Sequence, residues 1–174
     1  SWTADIRARV RIARTVSRSE AEFRGILTAM GVTVSDNSPK AQRRDWIYAF
    51  ADRPARRISG ERMGLAYGRD RLEPLLRAGG VRRLEDAGER AIAAIAKRAM
   101  EVGDLAELRS LSGAVALLEA SRARCLADLD GFLERSGNAD APAASYIRVM
   151  GLLPEERAAA RAVRPASRPA ASRD

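Results

Sequence analysis

The hydrophobic pattern of this chain changes period twice, and that constrains the fold more than any single residue. Apolar residues recur at helical spacing up to Met30, alternate in short stretches between residues 32 and 59, and return to helical spacing from residue 69 onward. Only Val32-Thr33-Val34-Ser35, Asp45-Trp46-Ile47-Tyr48-Ala49-Phe50 and Ala55-Arg56-Arg57-Ile58-Ser59 read as strands, with Asp36-Asn37-Ser38-Pro39 as a turn between the first two. Such strands make a small antiparallel sheet with helices on one face. The expected fold is therefore α+β and mostly helical: a small αα-β-β unit followed by a long-helix hairpin or bundle.

Thr3 is expected to cap a first helix with Asp5 in its first turn, and Ile6, Val10 and Ala13 form its apolar side. Arg7, Arg9, Arg11, Arg14 and Arg18 cover much of the remaining surface. A second helix follows Ser19, with Glu22 at capping-box spacing, an apolar face of Phe23, Ile26, Leu27 and Met30, and Gly31 as its stop. The pair reads either as an αα-hairpin packed on another element or as a DNA-reading helix-turn-helix. A short helix from Arg69 to Arg77 ends at Gly79-Gly80. From Val81 the pattern predicts one helix from about Leu84 to Val102. A second starts near Asp104, and its apolar residues from Leu105 through Leu133 keep a 3-4 spacing for about eight turns, up to Ser136-Gly137-Asn138. That length predicts a helical hairpin or a partner-binding arm. Shorter helices are expected over Ser145 to Gly151 and Pro154 to Val163. The organisation is a basic α+β unit over 1–80, a helical hairpin or bundle over 81–163, and a low-complexity, disordered tail over 164–174.

Charge divides along the same line. The net charge is +8, and residues 1–80 hold 16 Lys and Arg against 9 Asp and Glu, whereas residues 81–163 hold 12 against 13. Lys40 and Lys97 are the only lysines, so nearly all positive charge sits on guanidinium groups, which grip phosphate oxygens bidentately. A GC-rich genome would account for arginine in place of lysine but not for the asymmetry. The chain has no histidine, and so lacks the commonest catalytic and metal-binding side chain. One cysteine, Cys125, leaves no intrachain disulfide and reads as a buried structural residue on a helix. No apolar run spans a bilayer and no signal-peptide pattern is present, so no membrane insertion and a cytoplasmic location are expected. The start at Ser1 in place of methionine suggests a piece of a longer protein.

The segment from Arg56 to Gly68 carries the strongest binding signal. Arg56, Arg57 and Arg62 flank Gly60 and Gly64, and glycine lets a backbone approach a phosphate while arginines clamp its oxygens. The bland alternative is a strand, a tight turn and a helix start with solvated arginines. Gly60-x-x-x-Gly64 lacks the Gly-Lys-Ser/Thr ending of a phosphate loop. Trp46, Tyr48 and Phe50 share one strand face, which suits a core or, beside Arg43 and Arg44, a single-strand stacking surface. Glu85 with Glu89 and Asp128 with Asp130 read as solvated helix faces, and no metal or cofactor site is indicated.

Taken in order, the helix Ala4 to Val16, Ser19-Glu20-Ala21-Glu22-Phe23-Arg24-Gly25-Ile26-Leu27, Met30-Gly31-Val32-Thr33-Val34 and Arg56-Arg57-Ile58-Ser59-Gly60-Glu61-Arg62-Met63-Gly64-Leu65-Ala66-Tyr67 resemble the segment downstream of the nicking domain in relaxase/mobilization nucleases of conjugative plasmids and integrative elements. The resemblance covers about residues 3–78. Family relaxases cut one strand at a transfer origin with a tyrosine nucleophile and a metal held by histidines. Neither carries over, because histidine is absent and Tyr48, Tyr67 and Tyr146 sit in other contexts. Tyr67 matches the closing motif, where packing or a phosphate hydrogen bond is its expected role. The resemblance implies a non-catalytic accessory region that holds transfer-origin or single-stranded DNA through Arg43, Arg44, Arg56, Arg57 and Arg62 together with Arg7, Arg11 and Arg14. Its helical half would meet the coupling or secretion proteins of conjugation. DNA binding predicts that these arginines converge on one surface. A protein-binding helical module, for secretion or oligomerisation, predicts an exposed apolar stripe over 104–135 instead, and a histidine-free enzyme predicts carboxylates converging in a pocket.

Overall fold

A computed structural model describes residues 1–84, 86–137 and 141–162. Glu85, Asn138, Val163 and the tail over 164–174 lie outside the described residues. Helix α1 (Trp2–Val16) buries Ile6, Ala8, Val10, Ile12, Ala13 and Val16. At 100° per residue these cover more than half of its circumference, so α1 is a central helix with neighbours on two sides. Helix α2 (Glu20–Ala29) packs on one side and the helices of the second half on the other. Thr3 does not cap α1. The helix begins two residues earlier, with Ser1 at the cap position and Trp2 packed on the core, and Thr3 in the first turn shares a 2.7 Å hydroxyl contact with Ser1. Ser19 caps α2 as expected, accepting the Glu22 amide at 3.1 Å, and Gly31 follows the helix at φ 74°. The two helices form an αα-hairpin laid on the sheet.

Strands β1 (Val32–Asp36), β2 (Trp46–Phe50) and β3 (Arg57–Ser59) form an antiparallel meander in the order β1-β2-β3. The register stacks Val34, Tyr48 and Ile58 on the helix-covered face beside Val32 with Phe50 and Asp36 with Trp46. It stacks Ser35, Ile47 and Ser59, and next to them Thr33, Ala49 and Arg57, on the opposite face. Trp46, Tyr48 and Phe50 are thus core residues, and Trp46 offers no stacking surface to a single strand at 1% exposure. A four-residue helix α3 (Gly60–Met63), a 3-10 turn over Leu65–Tyr67 and helix α4 (Arg69–Arg77) complete this layer.

The second layer is helical: α5 (Ala87–Val102), α6 (Leu105–Ser121), α7 (Leu126–Ser136), α8 (Ala141–Met150) and α9 (Pro154–Ala162). Asp86 caps α5 by accepting the Glu89 amide at 3.0 Å, so this helix starts after Leu84, and α8 starts before Ser145. The expected eight-turn helix is broken. Arg122 takes a left-handed conformation at φ 52° and ψ 27°, and the chain restarts at α7 with Cys125 at its cap position. The Asp128 carboxylate accepts the Arg124 amide at 3.0 Å and the Ser121 hydroxyl accepts the Ala123 amide at 3.2 Å, so side chains satisfy the freed backbone groups. Asp128 is therefore a capping residue, and Cys125 is a half-exposed loop residue instead of a buried helical one. The break lets α7 turn back beside α8. Leu108, Leu111, Val115 and Leu129 are all buried, so most of the apolar stripe that a protein-binding module would expose is internal, with Leu105 and Leu126 exposed at the two helix starts. One hydrophobic core runs through both layers, with α1 packed on α5 and α6.

Candidate nucleic-acid interface

The outer face of the sheet is uncovered and forms an open trough of about 640 Å³. Its floor is Thr33, Ser35, Ile47 and Ala49, with Arg57, Ser59 and Arg62 on one side. Arg57 comes from β3 by strand alternation, and Arg62 from α3. Arg56 lies next to Arg57 in the hairpin between β2 and β3. All three are exposed, and none makes a side-chain hydrogen bond or ion pair with any described residue. Arg43 and Arg44 stand in the loop between β1 and β2. The Arg43 guanidinium is 3.5 Å from Glu61, and Arg44 donates to the carbonyl oxygens of Ser38 at 3.5 Å and Pro39 at 3.2 Å. Acidic groups near the trough are already engaged: Asp36 faces Arg69 at 3.5 Å, and Asp52 faces Arg53 at 3.7 Å.

Asp45 ties together the segments next to these arginines. Its carboxylate is buried and accepts three backbone amides: Trp46 at 2.8 Å, Glu61 at 3.0 Å and Arg69 at 3.1 Å. Through them it joins the start of β2 to the first turns of α3 and α4. Its own amide donates to Asn37 Oδ1 at 3.1 Å, which ties in the β1–β2 loop. A Cβ on Gly60 would stand 2.3 Å from the Tyr67 carbonyl oxygen, and Gly64 sits at φ 143°. The close approach that these glycines permit is internal: the segment folds back on Tyr67 and Gly68. The Tyr48 hydroxyl closes the same knot by donating to the Tyr67 carbonyl at 2.9 Å. Burial, reinforced by the Asp45 charge, pushes the Tyr48 hydroxyl pKa well above its usual value.

The first-helix arginines are elsewhere. Arg7, Arg11 and Arg14 follow one another at 3-4 spacing on the α1 face turned toward Tyr67 and Glu119, and all are half-buried. Arg11 donates to Glu119 at 2.9 Å and faces Glu89 at 3.5 Å. Burial opposes its charge, but the hydrogen bond and charge of Glu119 outweigh that and raise its pKa. The Nε atoms of Arg7 and Arg14 are buried without a described partner. Burial raises the Tyr67 hydroxyl pKa, Glu119 adds to the shift, and these three arginines oppose it. Arg9 points the other way, to Asp5 at 3.0 Å, the Met30 carbonyl and the face of the Phe50 ring at 5.2 Å. The eight candidate arginines thus divide into an exposed set on the sheet side and a half-buried set between α1 and the helical layer. Periodicity could not separate the two sets, because it marks a polar stripe whether solvent or another helix covers it.

Sequence reasoning missed Asp45 as an organiser. Its partners lie 16 and 24 residues away, and no local pattern marks them. The hydroxyls of Thr33, Ser35 and Ser59 beside Arg57 were legible from strand alternation once the register was known. Among the described residues no three His, Cys, Asp or Glu side chains gather to hold a metal ion, and no helix is long and apolar enough to cross a membrane. Scans of protein-family models, curated proteins and solved structures return no match for this chain.

Proposed function

We propose that this chain is a non-catalytic accessory region of a mobilization relaxase that holds single-stranded or transfer-origin DNA in the cytoplasm. The outer face of the sheet is its binding surface. The observation that carries the reading is a set of three exposed guanidiniums without carboxylate partners among the described residues: Arg57 and Arg62, which line the open, hydroxyl-bearing trough, and Arg56, next to Arg57 in the hairpin. Guanidinium groups left unpaired at a surface are available to phosphate oxygens at no cost in broken ion pairs. The aromatic side chains of β2 all face the core, so the trough has no stacking platform, and contact runs through the phosphate backbone with weak sequence selectivity. Arg43 and Arg44 extend the positive surface beyond the trough, whereas Arg7, Arg11 and Arg14 act inside the protein. The helical layer would adjoin coupling or secretion proteins. The alternative of a helical protein-binding module is the weaker reading, since Leu108, Leu111, Val115 and Leu117 of α6 are taken up by the core and Leu105 is its exposed large apolar residue.

Fluorescence anisotropy with single- and double-stranded oligonucleotides across a salt series tests this reading. Binding should weaken with salt, with a log-log slope of roughly −0.7 per phosphate contacted on a single strand. Replacing Arg56, Arg57 and Arg62 by alanine should lower that slope by about 2 and the affinity at least tenfold, without altering the melting temperature. Absence of binding to either form at low salt would refute it.

A further inference from the structure

A second cleft, also of about 640 Å³, lies between α1, α5, α6 and the start of α9 and shares no lining residue with the trough. The space is open to solvent and wide enough to admit a small molecule against one wall. Ile92, Leu118, Ala123 and Leu152 give it an apolar floor. Its carboxylates are committed within the protein: Glu119 and Glu89 both face Arg11, and Asp86 caps α5. Its remaining arginines are not. Arg83, Arg122 and Arg124 line the cleft from exposed positions, and none of their guanidiniums is bonded to a described residue.

The backbone beneath two of them is held in place. Arg124 donates its amide to Asp128 and accepts the Glu155 amide on its carbonyl at 2.9 Å, which pins it between α7 and α9. Arg122 is the one non-glycine residue with positive φ among the described residues. Glycine or asparagine would fill a left-handed position with less strain. Strain of this kind collects at functional sites, and here it falls on a residue whose side chain lines a cleft. The first turns of α5 and α9 border the same space, with the Asp86 carboxylate and the Arg124 carbonyl each already accepting one of their amides.

We propose that this cleft binds a nucleotide-sized ligand carrying a phosphate monoester, with Arg83, Arg122 and Arg124 around the dianion and the apolar floor against the attached group. The lining carries four arginines against three carboxylates, and the Arg83, Arg122 and Arg124 guanidiniums, which make no ion pair within the cleft, can fork onto the several oxygens of a phosphate better than onto the two of a carboxylate. The proposal is independent of DNA binding on the sheet.

Isothermal titration of the chain with inorganic phosphate, AMP and adenosine at low salt tests it. AMP should bind more tightly than phosphate, and adenosine should give no heat. The triple variant R83A/R122A/R124A should weaken AMP binding by at least about tenfold. The single variant Arg122→Gly should melt no lower than the parent chain yet also bind AMP less well, a combination that a purely structural role for Arg122 does not produce. Arg56/Arg57/Arg62→Ala should keep full AMP affinity, so failure on the sheet and failure in the cleft are distinguishable. Oligonucleotides ending in a 5′-phosphate or a 5′-hydroxyl separate the two sources of the group: a preference for the phosphate end places a strand terminus in the cleft, and no preference leaves the free nucleotide. Silence with both AMP and phosphate, or unchanged affinity in the triple variant, would overturn the proposal.

Discussion

Phe23, Trp46 and Tyr48, fully buried, belong to the layer around the sheet, whereas the helices after residue 86 are cored by Ala93, Ala96, Ala99 and Ala114 with Leu108, Leu111 and Leu129. In the first layer contacts are directional. Phe23 stacks on Trp46 at 5.8 Å and meets Tyr48 edge-on at 6.4 Å, Arg24 lies over Trp46 at 5.3 Å, and the Tyr48 hydroxyl needs its carbonyl partner. In the second layer small side chains let helices approach closely, and few polar groups enter the core. One of them, the Ser112 hydroxyl, donates to Leu108 within its own helix at 2.9 Å and touches Met30 Sδ across the layers at 3.6 Å. The sheet layer is thus specified by geometry around a few atoms and the helical layer by volume. A single polar deletion should damage the first, and a change in size the second.

The largest effect is expected from Asp45→Ala, which strands three backbone amides, one buried and two partly buried; at about 1.5 kcal/mol for each bond to a charged acceptor, the loss should be about 4.5 kcal/mol in urea unfolding. A loss below about 1 kcal/mol would show that water replaces the carboxylate and that the sheet layer is not organised around it. Next is Leu111→Ala, which empties volume where α6 meets its neighbours and should cost about 3 kcal/mol. Near-ultraviolet circular dichroism reports the aromatic layer and the far-ultraviolet signal the helices. Both should fall in one transition, because one core joins the layers, and two separate transitions would break that picture. Gly80→Ala probes the seam itself. Gly80 sits at φ 86°, and a Cβ there would lie 2.0 Å from the Ser17 carbonyl oxygen, so a loss of about 2 kcal/mol is expected in the same assay.

The smallest effect concerns pH at the break between α6 and α7. The Arg124 amide, then Cys125, hold the Asp128 carboxyl below its usual 3.8. A lowered folded value means that this contribution is complete above the unfolded value and disappears as pH falls through the folded one. The melting temperature should therefore drop on acidification below about pH 4, and Asp128→Asn should flatten that part of the profile. An unchanged profile would mean that Asp128 does not hold the break.

Several elements were legible because their determinants are local. Ser19 before Glu22 and Gly31 after Met30 bound α2, the alternation of Trp46, Tyr48 and Phe50 gives β2 its buried face, and Gly79-Gly80 ends α4. The break at Arg122 was not legible, since neither glycine nor proline marks it and the 3-4 spacing of leucines continues across it. Strand alternation is enough to place Arg57 on the outer face, whereas nothing in the sequence brings Arg83, Arg122 and Arg124 together, because helical spacing says nothing about which helix ends share a cleft.

By itself the sequence determined which segments are helix and which are strand, where most of them stop, and which face of each is apolar, because period, caps and turn residues act within a few positions of one another. Only the tertiary structure decided what each polar face meets. The arginines of α1 and those of β3 and α3 are the same residue type at similar local densities, yet packing α1 between two layers half-buries the first set against Glu119 while the open sheet leaves the second in solvent. That outcome depends on contacts more than a hundred residues apart, such as Arg11 with Glu119, and no local rule carries information over that distance.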